Sequence, residues 1–113
     1  FVIIMDYYYS GDLRHYLTNH FDYSWYKKLI LLCSILSGLE FIHSANIIHR
    51  DFHSGNILYN NVMSAIICDL GISKSSTAST DDDEIYGIIP YVAPEIFQRR
   101  EYTTASDIYS FGM

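Results

Sequence analysis

Asp51, Asn56 and Asp69 are the residues whose types and spacing can do chemistry together. They stand in the run His49-Arg50-Asp51-Phe52-His53-Ser54-Gly55-Asn56 and, thirteen residues after Asn56, in Asp69-Leu70-Gly71. Two carboxylates and one neutral amide oxygen are hard donors. Such a set suits magnesium, which keeps several waters and binds through one or two carboxylates plus the phosphates of a substrate. Asp69, before a flexible Leu-Gly turn, reads as a metal ligand, with Asn56 as the neutral oxygen beside it. Asp51, next to Arg50, reads as the carboxylate that orients a hydroxyl and takes its proton as it attacks phosphorus. His49 and His53, at i and i+4, superficially match half of a zinc helix, but Asp51 and Gly55 favour a loop and no third ligand is apparent. Nothing in the chain resembles the Gly-x-Ser-x-Gly or Cys-His arrangements of acyl transfer.

Short strands must hold these two loops. Ile47-Ile48, Ile57-Leu58-Tyr59 and Ala65-Ile66-Ile67-Cys68 are apolar runs of strand length separated by turn residues, and the middle pair reads as a hairpin through Asn60-Asn61. Ahead of them, Phe1 to Met5 has the continuous apolar pattern of a strand covered on both faces. Asp12 caps a predicted short helix with Leu13, Tyr16 and Leu17 at i, i+3 and i+4. The longest predicted helix runs from about Ser24 to His43, with Leu29, Leu32, Cys33, Leu36 and Leu39 as its core stripe, widened by Ile35 and Ile42. Ser73 to Glu84, with six Ser/Thr residues and the run Asp81-Asp82-Asp83-Glu84, reads as a mobile solvated loop. Pro94-Glu95 reads as a helix start, and Thr103 or Thr104 opens a final helix.

Composition bounds the rest. At 113 residues the chain is one domain at most, half apolar, 18% charged, with net charge -6. No basic run exceeds Lys27-Lys28 or Arg99-Arg100, which argues against a nucleic-acid partner. Cys33 and Cys68 read as buried thiols of a reducing compartment. Leu29 to Ile42 spans fourteen residues and is interrupted by Ser34, Ser37, Gly38 and Glu40. A membrane span needs ~20 apolar residues, so this reads as a core helix. No basic flank or cleavage site marks the first residues as a signal peptide. Phe1 falls within a predicted strand and Met113 within a predicted helix, so both ends are expected to be cut.

The ordered motifs identify a resemblance. A hinge, His-Arg-Asp-x-x-x-x-Asn, Asp-x-Gly, Ala93-Pro94-Glu95 and Ser106-Asp107-Ile108-Tyr109-Ser110-Phe111-Gly112 together resemble the middle of a eukaryotic protein kinase domain across residues 1–113. The phrasing of Gly87 to Glu95 and of Ser106 to Gly112 is most similar to the tyrosine-kinase-like group. The resemblance implies an α+β, protein-kinase-like fold, of which this chain covers the hinge strand and the first half of the mainly helical C-lobe. It implies that Met5 is the gatekeeper, that backbone groups of Asp6 and Tyr8 meet the adenine of ATP, that Asp12 meets the ribose, and that Leu13 and Leu58 pack below the base. Asp51 becomes the catalytic aspartate, and Asn56 and Asp69 the ligands of Mg2+. His49 and Leu70 join a hydrophobic spine, Asp107 holds the catalytic-loop backbone, and Glu95 pairs with an arginine beyond Met113. Arg50 is implied to receive a phosphate from the activation segment, with Ser73, Ser75, Ser76, Thr77, Ser79, Thr80 and Tyr86 as candidate acceptors. The run Asp81 to Glu84 either stands in for that phosphate or is simply a solvated charge run.

Two departures stand out. His53 replaces the lysine usual two residues after the catalytic aspartate, and Ile88 replaces the threonine that meets it, so both partners of one interaction change together. An ordinary histidine titrates near ~6.5. Transfer is therefore expected to depend on protonation of His53.

The implied activity is transfer of the ATP gamma-phosphoryl group to protein Ser or Thr hydroxyls, with Tyr as a further acceptor, in cytosolic signalling. The rival reading is a pseudokinase scaffold that binds protein partners. The glycine-rich loop, the strand lysine and the regulatory-helix glutamate do not occur in these residues, nor do the later C-lobe helices, and burial is already marginal at this length. By itself the chain is expected to be inactive and to fold poorly or aggregate; cooperative thermal unfolding with native-like amide protection would refute this.

Overall fold

The longest helix supplies the surface on which the strands are laid. The computed structural model describes all residues except 1, 3, 5, 21, 61–63 and 78–84. Helix α1 is Leu13–Asn19 and helix α2 is Trp25–Ser44. Each starts at a side-chain cap: Asp12 Oδ1 accepts from the His15 N–H at 2.9 Å, and Ser24 Oγ from the Lys27 N–H at 3.4 Å. Asn46, at φ 57°, turns the chain out of α2 and donates its N–H to the His43 carbonyl at 2.9 Å.

The buried row of α2 is Leu31, Ile35 and Leu39. Leu39 and Ile35 belong to the stripe expected from the sequence, but the rest of it is turned away: Leu29 is 55% exposed, Leu32 40% and Leu36 45%, and Cys33 is exposed rather than buried. Apolar residues lie nearly all round α2, so periodicity specifies no unique face. Close approach of a strand decides it. A Cβ at Gly38 would meet Ile67 Cδ1 at 3.3 Å, so the absence of a side chain there lets strand and helix touch. Ser34 Oγ, one helical turn away, accepts the Ala65 N–H at 3.1 Å.

Four short strands follow: β1 (Ile47–Ile48), β2 (Ile57–Asn60), β3 (Ser64–Ile67) and β4 (Lys74–Ser75). Strands β2 and β3 pair antiparallel from Ile57↔Ile67 to Asn60↔Ser64, as expected of a hairpin, with Asn61 and the next two residues outside the described set. β1 pairs antiparallel with β4. The segment from Ser73 therefore does not begin as a loop: Lys74 and Ser75 pair through their backbones with two apolar residues, a pairing that needs no apolar side chains of their own. Pro94-Glu95 leads into a single 3-10 turn, Ile96–Gln98, that stops where Arg99 adopts φ 57°. Helix α3 is Thr104–Gly112, its Ser106 Oγ accepting the Thr103 N–H at 3.1 Å. The expected first strand is not seen among the described residues, since Val2 and Ile4 lie outside any strand and are 88% and 93% exposed. No described strand runs beside them, and a strand without a partner has no ladder to hold it.

The core gathers Leu13, Leu31, Ile35, Leu39, Phe52, Ile57, Tyr59 and Ala65 between α2, α1 and the β2–β3 hairpin. Tyr16 donates to the Tyr23 hydroxyl at 3.0 Å, and the Tyr23 and Tyr59 hydroxyls bond at 2.5 Å, tying α1 to β2. Burial pushes the Tyr59 phenol well above its ordinary range, so it remains neutral. A second cluster, Val92, Ala93 and Ile96 with Tyr102 against it, anchors the segment before α3. Among the described residues no helix is long and apolar enough to cross a membrane.

Leu39 is fully buried. In the full-length protein Leu39→Ala is expected to lower the unfolding free energy by about 2–5 kcal/mol in a denaturant titration, and a loss under about 0.5 kcal/mol would remove α2 from the core.

Candidate active site

The loop that carries Asp51 is held by one buried carboxylate. Asp107, in the first turn of α3 and 1% exposed, accepts the His49 N–H at 2.8 Å on Oδ2 and the Arg50 N–H at 3.0 Å on Oδ1. Its Oδ2 also bonds His43 Nε2 at 2.9 Å, joining the end of α2 to the same point. Two successive N–H groups converge on one anion because Arg50 adopts φ 71°, a left-handed conformation that a bulky residue holds only under constraint.

His49 spans the two loops. It is wholly buried; Nε2 bonds the Cys68 carbonyl at 3.0 Å, and Nδ1 accepts the Asp51 N–H at 3.3 Å. These partners define a neutral ring with its proton on Nε2. Ser73 Oγ donates to the His49 carbonyl at 3.2 Å, and the Phe52 ring meets His49 edge-on at 5.7 Å. Leu70, expected with His49 in one apolar spine, is 47% exposed, and no described residue covers it in either core cluster.

Asp51 and Asn56 face each other across the loop. Asn56 Nδ2 donates to the Asp51 carbonyl at 2.9 Å and to Asp51 Oδ2 at 3.2 Å. The amide nitrogen is thus committed to Asp51, which leaves the Asn56 oxygen as the atom available to a cation. The Cys68 N–H donates to the Asn56 carbonyl at 2.9 Å, so Asn56 lies opposite Cys68, with Asp69 one residue beyond at the same end of the β2–β3 hairpin. Asp69 is exposed, at φ 62°, and its Oδ1 accepts the Gly71 N–H at 3.3 Å. Burial, with the Asp69 charge next to it, pushes the Cys68 thiol up and keeps it protonated. Among the described residues no group of three or more His, Cys, Asp or Glu gathers as around a transition metal. An amide oxygen and one carboxylate fit magnesium, which takes its remaining ligands from water and phosphate.

His53 sits against Asp51. Its Nε2 is 3.5 Å from Asp51 Oδ1, and its Nδ1 accepts the Gly55 N–H at 3.0 Å. A Cβ at Gly55 would come within 2.9 Å of His53 Cε1, so the glycine makes room for the imidazole. Asp51 Oδ1 is buried and makes no hydrogen bond. What such an oxygen lacks is a hydrogen-bond donor. Gly87, at φ 99°, lies over it: a Cβ there would meet the Arg50 carbonyl at 3.3 Å and Asp51 Oδ1 at 3.4 Å. A small hollow beside Asp51 is lined by Arg50, Gly87, Ile88, Tyr91 and Tyr102, which places both departures, His53 and Ile88, near the same carboxylate.

At the other end of the site, Asp12 spends one oxygen on its helix cap, and its backbone forms a bridge to Leu58, so the implied ribose acid and base-packing residue adjoin. Leu13 is 6% exposed inside the core, as the buried face of α1 requires. The Tyr8 carbonyl accepts the Gly11 N–H at 3.1 Å, while Asp6 is exposed. Met5, Thr80, Ser79 and Asp81 to Glu84 lie outside the described residues. Ser75, Ser76 and Thr77 are exposed, with Ser75 Oγ and Thr77 Oγ1 bonded at 2.8 Å. Glu95 is half-buried at the start of its 3-10 turn. Sequence reasoning missed His43 and Tyr102. Neither belongs to a local motif: His43 lies 64 residues from Asp107, and Tyr102 lies 16 from Tyr86.

Removing the carboxylate in Asp107→Ala strands the His49 and Arg50 N–H groups inside the protein, at about 1–3 kcal/mol each. The variant of the full-length protein is expected to lose at least about 2 kcal/mol of stability. Hydrogen exchange should accelerate first at His49 and Arg50, and unchanged exchange there would show that the loop holds itself.

Comparison with known proteins places the chain. Residues 1–113 match the protein kinase domain family. The chain is 35% identical to the serine/threonine/tyrosine-protein kinase HT1 of Arabidopsis thaliana, over 100% of the chain and 30% of that protein. It is 35% identical to a probable serine/threonine-protein kinase of Dictyostelium discoideum, over 92% of the chain and 25% of the relative. It is 31% identical to the leucine-rich repeat receptor-like serine/threonine/tyrosine-protein kinase SOBIR1 of Arabidopsis thaliana, over 98% of the chain and 19% of that protein. The chain thus spans less than a third of the length of these relatives. With its loops, hairpin and buried helix aspartate arranged as described, it belongs to the protein kinase family, of whose domain it is a part.

Proposed function

We propose that the full-length protein transfers the gamma-phosphoryl group of ATP to Ser or Thr hydroxyls of proteins, with Tyr as a further acceptor, in cytosolic signalling. The observation that carries this reading is the pairing of Asp51 with Asn56 beside Asp69, at one end of a single hairpin. Asn56 and Asp69 are the residues that would hold Mg2+, which when bound offsets charge on the transferring phosphoryl group. Asp51 orients the acceptor hydroxyl and takes its proton. Its Oδ2 is fixed by Asn56, so Oδ1, which makes no hydrogen bond and has His53 Nε2 3.5 Å away, is the oxygen left for that proton. Asp107 and His49 hold the loop in place, which limits the motion that would blur this geometry.

His53 and Ile88 favour weighing a second reading, a scaffold that binds partners without transfer. One experiment separates them. In the full-length protein, Asp51→Asn is expected to lower kcat for a Ser/Thr peptide pool by about 10²–10⁴-fold with KM for ATP nearly unchanged, and Asp69→Asn to raise the Mg2+ requirement. Wild-type protein that binds Mg·ATP but transfers nothing would establish the scaffold.

His53 stands 3.5 Å from Asp51 Oδ1 at the position where the resemblance calls for lysine. Restoring that lysine in His53→Lys is expected to change kcat with KM for ATP nearly unchanged, and a kcat equal to wild type would deny His53 a role in transfer.

A further inference from the structure

Arg50 is 6% exposed, yet among the described residues it has no carboxylate partner, and its Nε makes no hydrogen bond. What surrounds the guanidinium is aromatic. Its central carbon lies 4.4 Å from the Tyr86 ring centroid and 4.8 Å from that of Tyr102, the distance at which a cation is drawn to a ring's π electrons. The two tyrosines are locked to each other: the Tyr102 hydroxyl accepts the Tyr86 N–H at 2.7 Å and donates to the Tyr86 carbonyl at 2.6 Å. Burial pushes the Tyr102 phenol up, so it keeps the proton it donates. Next in the chain, Gly87 presses its bare backbone against the Arg50 carbonyl, at a distance no side chain would permit without a shift. Tyr102 in turn packs on Val92, Ala93 and Ile96.

We propose that Tyr86 and Tyr102 clamp Arg50 and thereby seat residues 86–102 on the catalytic loop without a phosphate. The proposal rests on the protein-kinase reading above for its consequence, not for its geometry. Arg50 was expected from sequence to wait for a phosphorylated side chain; in this structure its cation is already buried against two rings. Tyr102 is a positioning residue. It acts through Tyr86 and Arg50 on Asp51. The segment that approaches Asp51 is therefore set by aromatic contact and two backbone hydrogen bonds, and activity should not wait on modification of Ser75, Ser76 or Thr77.

The test uses full-length protein freed of phosphate, verified by intact mass, and compared with its phosphorylated form and with Tyr86→Leu and Tyr102→Phe. Amides of residues 85–92 in phosphate-free wild type are expected to exchange within about threefold of the phosphorylated form. Tyr102→Phe keeps the ring but loses both hydrogen bonds, and is expected to speed exchange at Tyr86 by at least about tenfold while α2 is unchanged. Tyr86→Leu removes one ring and should act alike. In peptide phosphorylation, phosphate-free wild type is expected to match the phosphorylated form within about threefold, and Tyr102→Phe to lose about tenfold in kcat with KM for ATP held within about twofold. Protection that appears only after phosphorylation, or a Tyr102→Phe segment as slow as wild type, overturns the clamp. Protection without any transfer upholds the clamp and sinks the kinase reading instead.

Discussion

The geometry of the candidate site depends on the contact of Asp107 with two consecutive backbone amides. A carboxylate at 1% exposure would be costly to bury alone. Here three donors meet it: His49 N–H, Arg50 N–H and the His43 ring. The exchange is mutual, because Arg50 at φ 71° would not hold that conformation unaided, and two buried amides would otherwise lack acceptors. One side chain of α3 thereby fixes the end of α2 and the start of the Asp51 loop at once.

From that anchor the site is assembled by close backbone approaches. Gly38 admits β3 to α2, Gly55 admits the His53 ring, and Gly87 admits the later segment to Arg50 and Asp51. Each position works by the absence of a side chain. Hydrogen bonds then set the register between loops: Asn56 to Asp51, Cys68 to Asn56, and His49 to the Cys68 carbonyl. Asp51 and Asn56 come together within a short loop, whereas Asp69 reaches the same end only because β2 and β3 pair in the register that puts Ile57 opposite Ile67.

Much of this was legible. The cap at Asp12, the start of the longest helix near Ser24, the β2–β3 hairpin and the start of the last helix at Thr103 or Thr104 follow from local rules of hydrogen bonding and periodicity, and the structure places them there. The motif residues were recognisable because their order and spacing are preserved along the chain. Less legible was α2, whose apolar residues surround it: periodicity pointed to Leu39 and Ile35, which are buried, but also to Leu29, Leu32 and Leu36, which are exposed, and it passed over Leu31, which packing buries. Polarity misled at Lys74-Ser75, where composition indicated a loop and backbone pairing made a strand.

The sequence by itself determined the family, the local helix and turn boundaries and the identity of the chemical groups, because these depend on residue type and short-range spacing. Tertiary structure alone decided which face of α2 is buried, that Leu13 joins the core with Leu31 and Ile35, and that Arg50 lies against Tyr86 and Tyr102. Those outcomes turn on contacts between residues far apart in the chain, where steric fit and the satisfaction of buried polar groups act and no periodicity records them.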